Sequence, residues 1–299
     1  MTFDDLRLVA GGSLESDALF GARTTYRVGG RARGILHLSN RAELELCGNA
    51  LRSVAEIYVL GNGSNTLVSD DGFDGLVITL GDDFAGFALR EDCLVEIGAA
   101  LDLPVAARRS VEADLRGFEW AVGVPGTIGG AVAMNAGGHG SDMATSVVAV
   151  DVWDVDQAAV RTLRASELNF GYRRSAITSR MIVLSATLQL SPGDAEEGRS
   201  VIRDIVRWRR EHQPGGANAG SVFQNPAGES AGALIDGCGL KGTRIGTAHV
   251  SEKHANFIQV DADGRADDVA ALMRHVHDEV LAHRAIDLHT EIRLVGFDQ

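Results

Sequence analysis

The first two-thirds of the chain consists of short apolar runs separated by glycine-rich turns. Short continuous or alternating apolar stretches are typical of strands, and they occur at 35–38, 56–60, 75–80, 93–98, 147–155 and 181–190. Residues 103–113 instead have the apolar spacing of a helix. This many strands exclude a helix bundle, and the pattern predicts an α+β fold.

The pattern changes in the last third of the chain, where longer helical stretches occur. The acidic turn cluster SPGDAEEG at 191–198 separates the two parts, so we predict a domain boundary near residue 193. Beyond it we predict helices at 199–212, 230–238 and 267–283 and a closing strand at 291–295. A chain of 299 residues has room for about two ordinary domains, here 1–193 and 194–299.

Composition and charge narrow the function classes. Glycine accounts for 36 of 299 residues and proline for only 5, which favours tight turns and close backbone approach to a ligand. The net charge of −13 would repel a phosphate backbone, so we expect no nucleic-acid partner. The sequence has no apolar run of about 18 residues and no leader-like start, so we expect no membrane segment and a cytoplasmic location.

The three cysteines, Cys47, Cys93 and Cys238, are widely spaced and form no CxxC pair. We therefore expect small buried thiols in a reducing compartment, with no disulfide framework and no zinc site. No metal-ligand constellation of the HExxH type is present either, and we predict no metal.

Two glycine-rich loops are candidate anion sites. The first, GNGSN at 61–65, follows an apolar strand directly, and its glycines and its Ser64 and Asn65 side chains offer donors to an anion. The second, VGVPGTIGGAVAMNAG at 122–137, opens a predicted helix at 127–134 whose N-terminus favours a phosphate. Each loop alone could be an ordinary turn, but two in one domain favour a phosphate-bearing ligand.

Neither loop is a known nucleotide fingerprint. There is no GxGxxG opening a helix with an acid about 20 residues later, and no GxxxxGK[ST]. A dinucleotide held by a fold other than the Rossmann or P-loop type is the hypothesis that remains.

Six motifs together resemble the UDP-N-acetylenolpyruvoylglucosamine reductase family, and the resemblance runs from about residue 20 to 296. They are TTYRVGG (24–30), LGNGSNTLVSDDGFDGLVI (60–78), GVPGTIGGAVAMNAGG (123–138), NFGYRRS (169–175), AGSVFQNP (219–226) and VSEKHANFI (250–258). The resemblance implies a two-part FAD-binding domain of the vanillyl-alcohol-oxidase type, with α+β lobes at about 1–80 and 81–193. A C-terminal α+β substrate-binding domain would follow, its last strand returning towards the flavin.

The resemblance also implies the ligands: FAD as cofactor, NADPH as reductant, and a UDP-sugar as substrate of a monomeric enzyme. The residues that would hold FAD are Arg27, Gly61, Asn62, Gly63, Ser64, Asn65, Thr66, Gly123, Val124, Pro125, Gly126, Thr127, Ile128, Gly129, Gly130, Ala131, Asn135, Ala136 and Gly137.

Three residues acquire a catalytic role only through the resemblance. Taken alone, Ser221 would be a turn serine, Glu291 a strand-end acid and Arg173 a surface cation. The resemblance implies that they are the proton donor, the assisting acid and the stabilising arginine. Hydride addition to the enolpyruvyl C=C creates a strongly basic, enediolate-like centre, so even a serine hydroxyl can protonate it. Arg173 would stabilise the growing carboxylate charge, and Glu291 would keep its proton or pair with Arg173.

For the UDP-sugar, the resemblance implies contacts from Tyr172, Asn225, Lys253, His254 and Asn256. The arginines of 203–210 could bind the diphosphate or form a solvated helix face, and the sequence leaves both open.

Two features set this chain apart from some members of the family that it resembles. Some members carry lysine where this chain has Gln224, which puts an electrostatic role of that position in doubt. The short path from Arg174 to the strand at 181–190 leaves little room for the tyrosine-bearing loop that a subgroup of the family inserts, so the chain resembles the subgroup without it.

Two alternative functions fit these motifs less well. A flavin oxidase acting on a sugar or alcohol would need a different C-terminal domain from the one that AGSVFQNP and SEKHANFI indicate. A non-catalytic flavin- or UDP-sugar-binding regulator need not keep serine, arginine and glutamate together, so the presence of all three disfavours this function.

Overall fold

The computed structural model describes residues 3–297, so the outermost ends of the two predicted domains lie outside the described residues. The helices are α1 (Phe3–Ala10), α2 (Arg41–Leu51), α3 (Leu103–Glu112), α4 (Ile128–Met134), α5 (Ala195–His212), α6 (Ala231–Gly237) and α7 (Ala266–Arg284).

The strands are β1 (Leu14–Leu19), β2 (Arg31–Leu38), β3 (Ile57–Val59), β4 (Thr66–Val68), β5 (Phe73–Leu80), β6 (Phe87–Leu89), β7 (Leu94–Gly98), β8 (Leu115–Arg116), β9 (Gly137–Gly138), β10 (Ser141–Asp142), β11 (Val147–Asp154), β12 (Ala159–Arg164), β13 (Met181–Gln189), β14 (Ser191–Pro192), β15 (Arg244–Ile245), β16 (Ala248–Val250), β17 (Ile258–Val260) and β18 (Arg293–Val295). Every strand and helix predicted from the hydrophobic pattern has a counterpart among them. The α+β fold class is therefore confirmed.

The ends of the helices follow from local chemistry. Pro104 occupies the first turn of α3, where its missing N–H has no helical partner to lose. Ser230 caps α6 by accepting a hydrogen bond from the backbone of Ala233. Helix α5 begins four residues before the predicted start at 199, because Glu196 and Glu197 stabilise a first turn that the apolar pattern does not mark.

The described chain divides into two units. The first contains 3–16, 34–61 and 75–209, and the second contains 17–33, 62–74 and 210–297. Each unit is described on its own below.

The first unit is built on two sheets. A four-stranded sheet has the order β1-β2-β5-β3, in which β3 and β5 run parallel with Ile57 opposite Leu76. A five-stranded antiparallel sheet has the order β12-β11-β13-β7-β6. The inward residues of β7 and β13, such as Val95, Ile97 and Leu188, are fully buried against α3 and α4, so this sheet carries the core under the second glycine loop.

The second unit is built on the three-stranded antiparallel sheet β15-β16-β17. Helix α7 packs on it through an apolar stripe at helical spacing, which includes Val269, Met273, Val276 and Val280. In the same unit β18 runs parallel to β4, with Leu294 opposite Leu67. The closing strand of the chain is therefore paired with the strand that directly follows GNGSN.

Among residues 3–297, no helix has both the length and the apolar character that a bilayer crossing requires.

Candidate active site

The second glycine loop is joined to the segment 99–103 by backbone hydrogen bonds. Ile128 N donates to Leu101 O and Gly129 N to Ala99 O, each at 2.9 Å. Leu103 N donates to Gly126 O, also at 2.9 Å, and Gly126 has a φ of 132° that only glycine adopts readily. These bonds fix the loop and use two of the amides at the start of α4 for folding.

Within the first unit, Gly61, the first residue of GNGSN, lies against Thr127 of the second glycine loop. A Cβ on Gly61 would lie 2.5 Å from Thr127 Oγ1, so only glycine allows this approach. Thr127 is the N-cap of α4 and accepts from Gly130 N at 3.4 Å. A Cβ on Gly130 would have Thr127 Oγ1, at 3.6 Å, as its only close neighbour, so this backbone stays accessible. The approach between Gly61 and Thr127 is closed by the protein itself, whereas the exposed backbone of Gly130 is open to a ligand, which fits a cofactor such as FAD.

Not every glycine of the loop is open to a ligand. A Cβ on Gly129 would meet Ala99 Cβ at 3.1 Å, and one on Gly123 would meet His139 Nε2 at 2.8 Å. Ile128, Ala131 and Ala136 are buried in the core of the unit, so towards a ligand they could offer backbone only. Pro125 and the partly buried Val124 complete this stretch.

The end of α4 is organised by Asn135, a buried residue in the left-handed conformation with φ 46°. Its amide donates to Asp142 Oδ2 and to Gly171 O, each at 3.1 Å, and its Oδ1 accepts from Ala144 N at 2.9 Å. Gly137 fits only as glycine, because a Cβ there would lie 2.6 Å from Ser141 O. The Asn135 side chain thus connects the second glycine loop to the hairpin that carries Arg173 by a hydrogen bond to Gly171 O.

Arg173 lies at the tip of that hairpin, whose ends Gly171 and Arg174 bond to each other through their backbones. It has a left-handed φ of 55°, donates from Nη1 to Gly137 O at 3.2 Å, and lies over the exposed Tyr172 ring at 5.5 Å. A bent hairpin therefore presents an arginine and a tyrosine next to the second glycine loop in the first unit.

Most of GNGSN belongs to the second unit. Gly63 has a φ of 62°, and a Cβ there would lie 2.6 Å from Thr24 Cα, so glycine is required. Thr25 N donates to Gly63 O at 3.2 Å, and the neighbouring Arg27 is exposed with φ 59°. The TTYRVGG motif and GNGSN thus lie side by side, as the resemblance implies. Asn62 and Ser64 complete the loop.

Asn65 connects this loop to Glu291. Its Nδ2 donates to Glu291 O at 3.0 Å, and its own carbonyl accepts from Arg293 N at 3.0 Å. Thr66, which follows, is buried as the first residue of β4 rather than part of the loop. The sequence predicted Asn65 as a cofactor donor, and the structure adds that it holds the backbone beside Glu291.

Ser221 and Glu291 are brought together by backbone pairing, although they are 70 positions apart in the numbering. Glu291 N donates to Val222 O at 2.7 Å, and Gln224 N donates to His289 O at 2.9 Å. A β-bridge between Phe223 and Thr290 lies between these two bonds. Both Ser221 and Glu291 are half-buried, so each lies at the edge of the second unit's core.

The SEKHAN motif lies in the same unit. The ring centroids of His254 and Phe257 lie 4.7 Å apart in an edge-to-face arrangement. Burial lowers the pKa of the His254 imidazole, as do the charges of Lys241 and His212. Lys253 Nζ donates to Arg210 O at 2.6 Å. Asn225 is exposed, and its Oδ1 accepts from Ala231 N at 3.0 Å, which satisfies the first turn of α6.

Asn256 has a role that the sequence did not indicate. It is only 3% exposed, and its amide bonds both backbone groups of Phe223. An asparagine inside a motif gives no sign of this, because its partner is 33 residues away.

Two of the four arginines of 203–210, Arg203 and Arg207, favour one of the two interpretations left open above. Arg203 pairs with Glu196 at 3.2 Å and Arg207 with Asp204 at 2.9 Å, and all four side chains are more than half exposed. This is a solvated helix face. Across residues 3–297, the structure contains no group of three or more His, Cys, Asp or Glu that could hold a metal.

Two models of known protein families match parts of this chain. A family model described as an FAD binding domain matches residues 36–163, and one described as the UDP-N-acetylenolpyruvoylglucosamine reductase C-terminal domain matches residues 212–295. The fold and the loops thus define an oxidoreductase with an FAD-binding domain.

Individual relatives identify the family more specifically than these two models do. UDP-N-acetylenolpyruvoylglucosamine reductase of Synechococcus sp. (strain WH7803) is 42% identical over 282 residues, covering 92% of this chain and 91% of the relative. That of Paramagnetospirillum magneticum is 41% identical over 287 residues, covering 95% and 92%. The crystal structure of UDP-N-acetylenolpyruvylglucosamine reductase from Thermus caldophilus superposes with a TM-score of 0.82 at 36% identity, covering 93% of this chain and 97% of that one.

The chain belongs to the UDP-N-acetylenolpyruvoylglucosamine reductase family. The resemblance inferred from the six motifs is confirmed, as is FAD as the cofactor. The individual site residues stay predictions.

Proposed function

We propose that this protein reduces the enolpyruvyl group of UDP-N-acetylglucosamine enolpyruvate to UDP-N-acetylmuramate, a step of peptidoglycan precursor synthesis, with NADPH as reductant. Family membership supports the substrate class. The observation that supports the catalytic assignment is the hydrogen bond between Glu291 N and Val222 O, which joins the backbone of the predicted acid to the residue that follows the predicted proton donor.

FAD would be held by the residues predicted above in the two glycine-rich loops, and it would supply the hydride, derived from NADPH, that adds to the terminal carbon of the enolpyruvyl C=C. Negative charge then grows on the adjacent carbon and on its carboxylate. Ser221 donates its hydroxyl proton to that adjacent carbon, which completes the addition of two hydrogens across the double bond. The serine is a weak acid, but its acceptor is a strong base, so the transfer is downhill once the hydroxyl is in place.

Arg173 and Glu291 assist at the substrate carboxylate in this proposal. A guanidinium stabilises the charge that develops on going to the transition state, and this lowers the barrier. A protonated Glu291 adds a hydrogen-bond donor without adding repulsion. Tyr172, Asn225, Lys253 and His254 remain candidates for contacts with the UDP-sugar.

The organisation of the enzyme is proposed on the same basis. We assign FAD binding to residues 1–193 and substrate binding to residues 194–299, with a monomer as the active form. The three cysteines are all free, which suits a reducing compartment, and we place the enzyme in the cytoplasm.

The test is an anaerobic titration of the purified FAD-bound protein. NADPH should bleach the flavin absorbance, and the enolpyruvyl UDP-sugar should then restore it with formation of UDP-N-acetylmuramate. Reduction by a free sugar but not by NADPH would indicate an oxidase instead. Binding of the UDP-sugar without recovery of the absorbance would indicate a non-catalytic binder.

A further inference from the structure

One residue, Asn256, makes three hydrogen bonds to the extended segment after Ser221. The Asn256 carbonyl accepts from Val222 N at 2.9 Å, and its side-chain Oδ1 accepts from Phe223 N at 2.9 Å. Its Nδ2 donates to Phe223 O at 2.8 Å. One residue thus bonds three backbone groups of the two residues that follow Ser221.

These bonds lie inside the core. Val222, Phe223 and Asn256 are 1%, 2% and 3% exposed. Removing a partner there would leave buried polar groups of the backbone unsatisfied, which costs far more than losing a bond at the surface. The Asn256 amide is therefore directed at the protein backbone and not at a surface that a substrate could reach.

Asn256 is itself fixed. Its backbone N–H donates to His254 Nδ1 at 3.2 Å, and the backbone N–H of His254 donates to Ser251 Oγ at 3.4 Å. Ser251 is 1% exposed, and its N–H bonds Phe257 O at 2.8 Å. A short chain of hydrogen bonds thus anchors the asparagine in the loop between β16 and β17.

The other side of the same segment is bonded to Glu291. Because Glu291 N donates to Val222 O at 2.7 Å, residues 222–223 are bonded on one side by Asn256 and on the other by Glu291. Gly220, on the other side of Ser221, has a φ of 76° and donates its N–H to Asn218 Oδ1 at 3.0 Å. The backbone flanking Ser221 is bonded on both sides.

The geometry points to Asn256 as a positioning residue for Ser221: its amide fixes the backbone that sets the place of the hydroxyl. The inference rests on the proposed function, in which Ser221 donates the proton. It gives Asn256 a role different from the substrate contact that the motif implies. A misplacement of about 1 Å in a reacting group costs on the order of 100-fold in rate, so small shifts of this segment would be visible in the kinetics.

The test uses Asn256→Asp in the FAD-bound protein. The variant keeps the acceptor for Phe223 N but turns a carboxylate oxygen towards Phe223 O, where two acceptors repel each other. Reduction of the flavin by NADPH should keep its rate. Reoxidation by the enolpyruvyl UDP-sugar should slow by about 100-fold, and its solvent deuterium isotope effect should rise because proton transfer limits the step.

A matched control separates positioning from lost stability. Thr247→Val removes the 2.7 Å bond from Thr247 Oγ1 to Asp268 Oδ2 in the same unit. It should lower the melting temperature while both half-reactions and the isotope effect stay as in the wild type. If Asn256→Asp fails to fold, Asn256→Ser replaces it, with the isotope effect measured on the folded protein.

Two results would overturn the inference. One is an unchanged reoxidation rate in a folded Asn256 variant. The other is a parallel fall of both half-reactions with bound FAD and an unchanged isotope effect, which marks a purely structural role. Failure of the wild-type flavin to be reoxidised by the UDP-sugar would instead refute the proposed function, and the inference with it.

Discussion

The backbone N–H of Glu291 donates a 2.7 Å hydrogen bond to the carbonyl of Val222, the residue after Ser221. This bond joins the backbone of Glu291 to the backbone next to Ser221, and these are two of the residues proposed to act on the substrate. Because the bond uses backbone atoms only, either side chain can be changed without removing it. Mutations at the two positions therefore report on chemistry more than on folding.

The first prediction concerns Glu291. Glu291→Gln keeps the backbone bond to Val222 and a similar shape, so the melting temperature and the rate of flavin reduction by NADPH should stay close to wild type. Reoxidation by the enolpyruvyl UDP-sugar should fall by about 100-fold or more, the range in which acid–base assistance contributes. Stopped-flow absorbance measures both steps, with Asp287→Asn as a control; wild-type reoxidation would remove the acid from the mechanism.

The second prediction separates two adjacent glycines. Gly129→Ala places a methyl 3.1 Å from Ala99 Cβ and should lower the stability of the apoprotein by about 1–3 kcal/mol. Gly130→Ala meets only Thr127 Oγ1, at 3.6 Å, and should not destabilise the apoprotein, yet it should weaken FAD binding. Thermal melting and FAD titration test the pair. Unchanged FAD affinity in Gly130→Ala would mean that this backbone does not face the cofactor.

The third prediction concerns an ion-pair cluster in the first unit. Arg116 bonds the carboxylate of Glu119, whose side chain is 9% exposed, and also that of Glu197, which is 75% exposed. Arg116→Met leaves a buried carboxylate and should cost about 3–5 kcal/mol. Glu197→Gln breaks only a surface pair and should cost less than about 1 kcal/mol. Urea unfolding measures both, and equal costs would contradict the burial argument.

The fourth prediction is a pair of opposite pH dependences in the second unit. Hydrogen bonds that the imidazole donates to the carboxylates of Asp278 and Asp287 raise the pKa of His277, so its stabilising contribution is present at low pH and is lost as the pH rises through that pKa. Burial lowers the pKa of His254, so the unfolded chain takes up the proton first and stability falls as the pH drops below the ordinary histidine value.

Unfolding in urea at pH 5, 7 and 9 tests this pair, because these values lie on both sides of the ordinary histidine pKa of about 6.5. His277→Gln should be most destabilising at pH 5 and nearly neutral at pH 9. In His254→Gln, the free energy of unfolding should fall less between pH 7 and pH 5 than it does in the wild type. The same pH profile for both variants would contradict the assignment.

The long apolar elements could be predicted from the sequence because their period is visible locally. Strands β5, β11 and β13 lie close to the predicted 75–80, 147–155 and 181–190. By contrast β4 has three residues, Thr66–Val68, too few to show a period, and its partner β18 is far along the chain. The predicted strand at 291–295 begins at Arg293 because the N–H of Glu291 pairs with Val222 instead.

The site residues could also be predicted only in part, because contacts between distant parts of the chain are not visible in the sequence. Motifs predicted that Gly61 and Thr127 serve one ligand, and the structure puts them in contact. They could not predict that Asn65 and Asn256 bond the backbone beside Glu291 and Ser221, because such partners are set by tertiary folding. An asparagine that binds a ligand and one that holds a backbone look alike in a sequence.

The measurement that tests the central proposal most directly is the half-reaction kinetics of Ser221→Ala, with Ser53→Ala as a serine control in the first unit. We predict that NADPH bleaches the flavin of the variant at the wild-type rate. Recovery of absorbance on adding the enolpyruvyl UDP-sugar should be slower by about 100- to 10,000-fold, since the proton donor is gone. A Ser221→Ala protein that recovers at the wild-type rate would show that the proton comes from elsewhere.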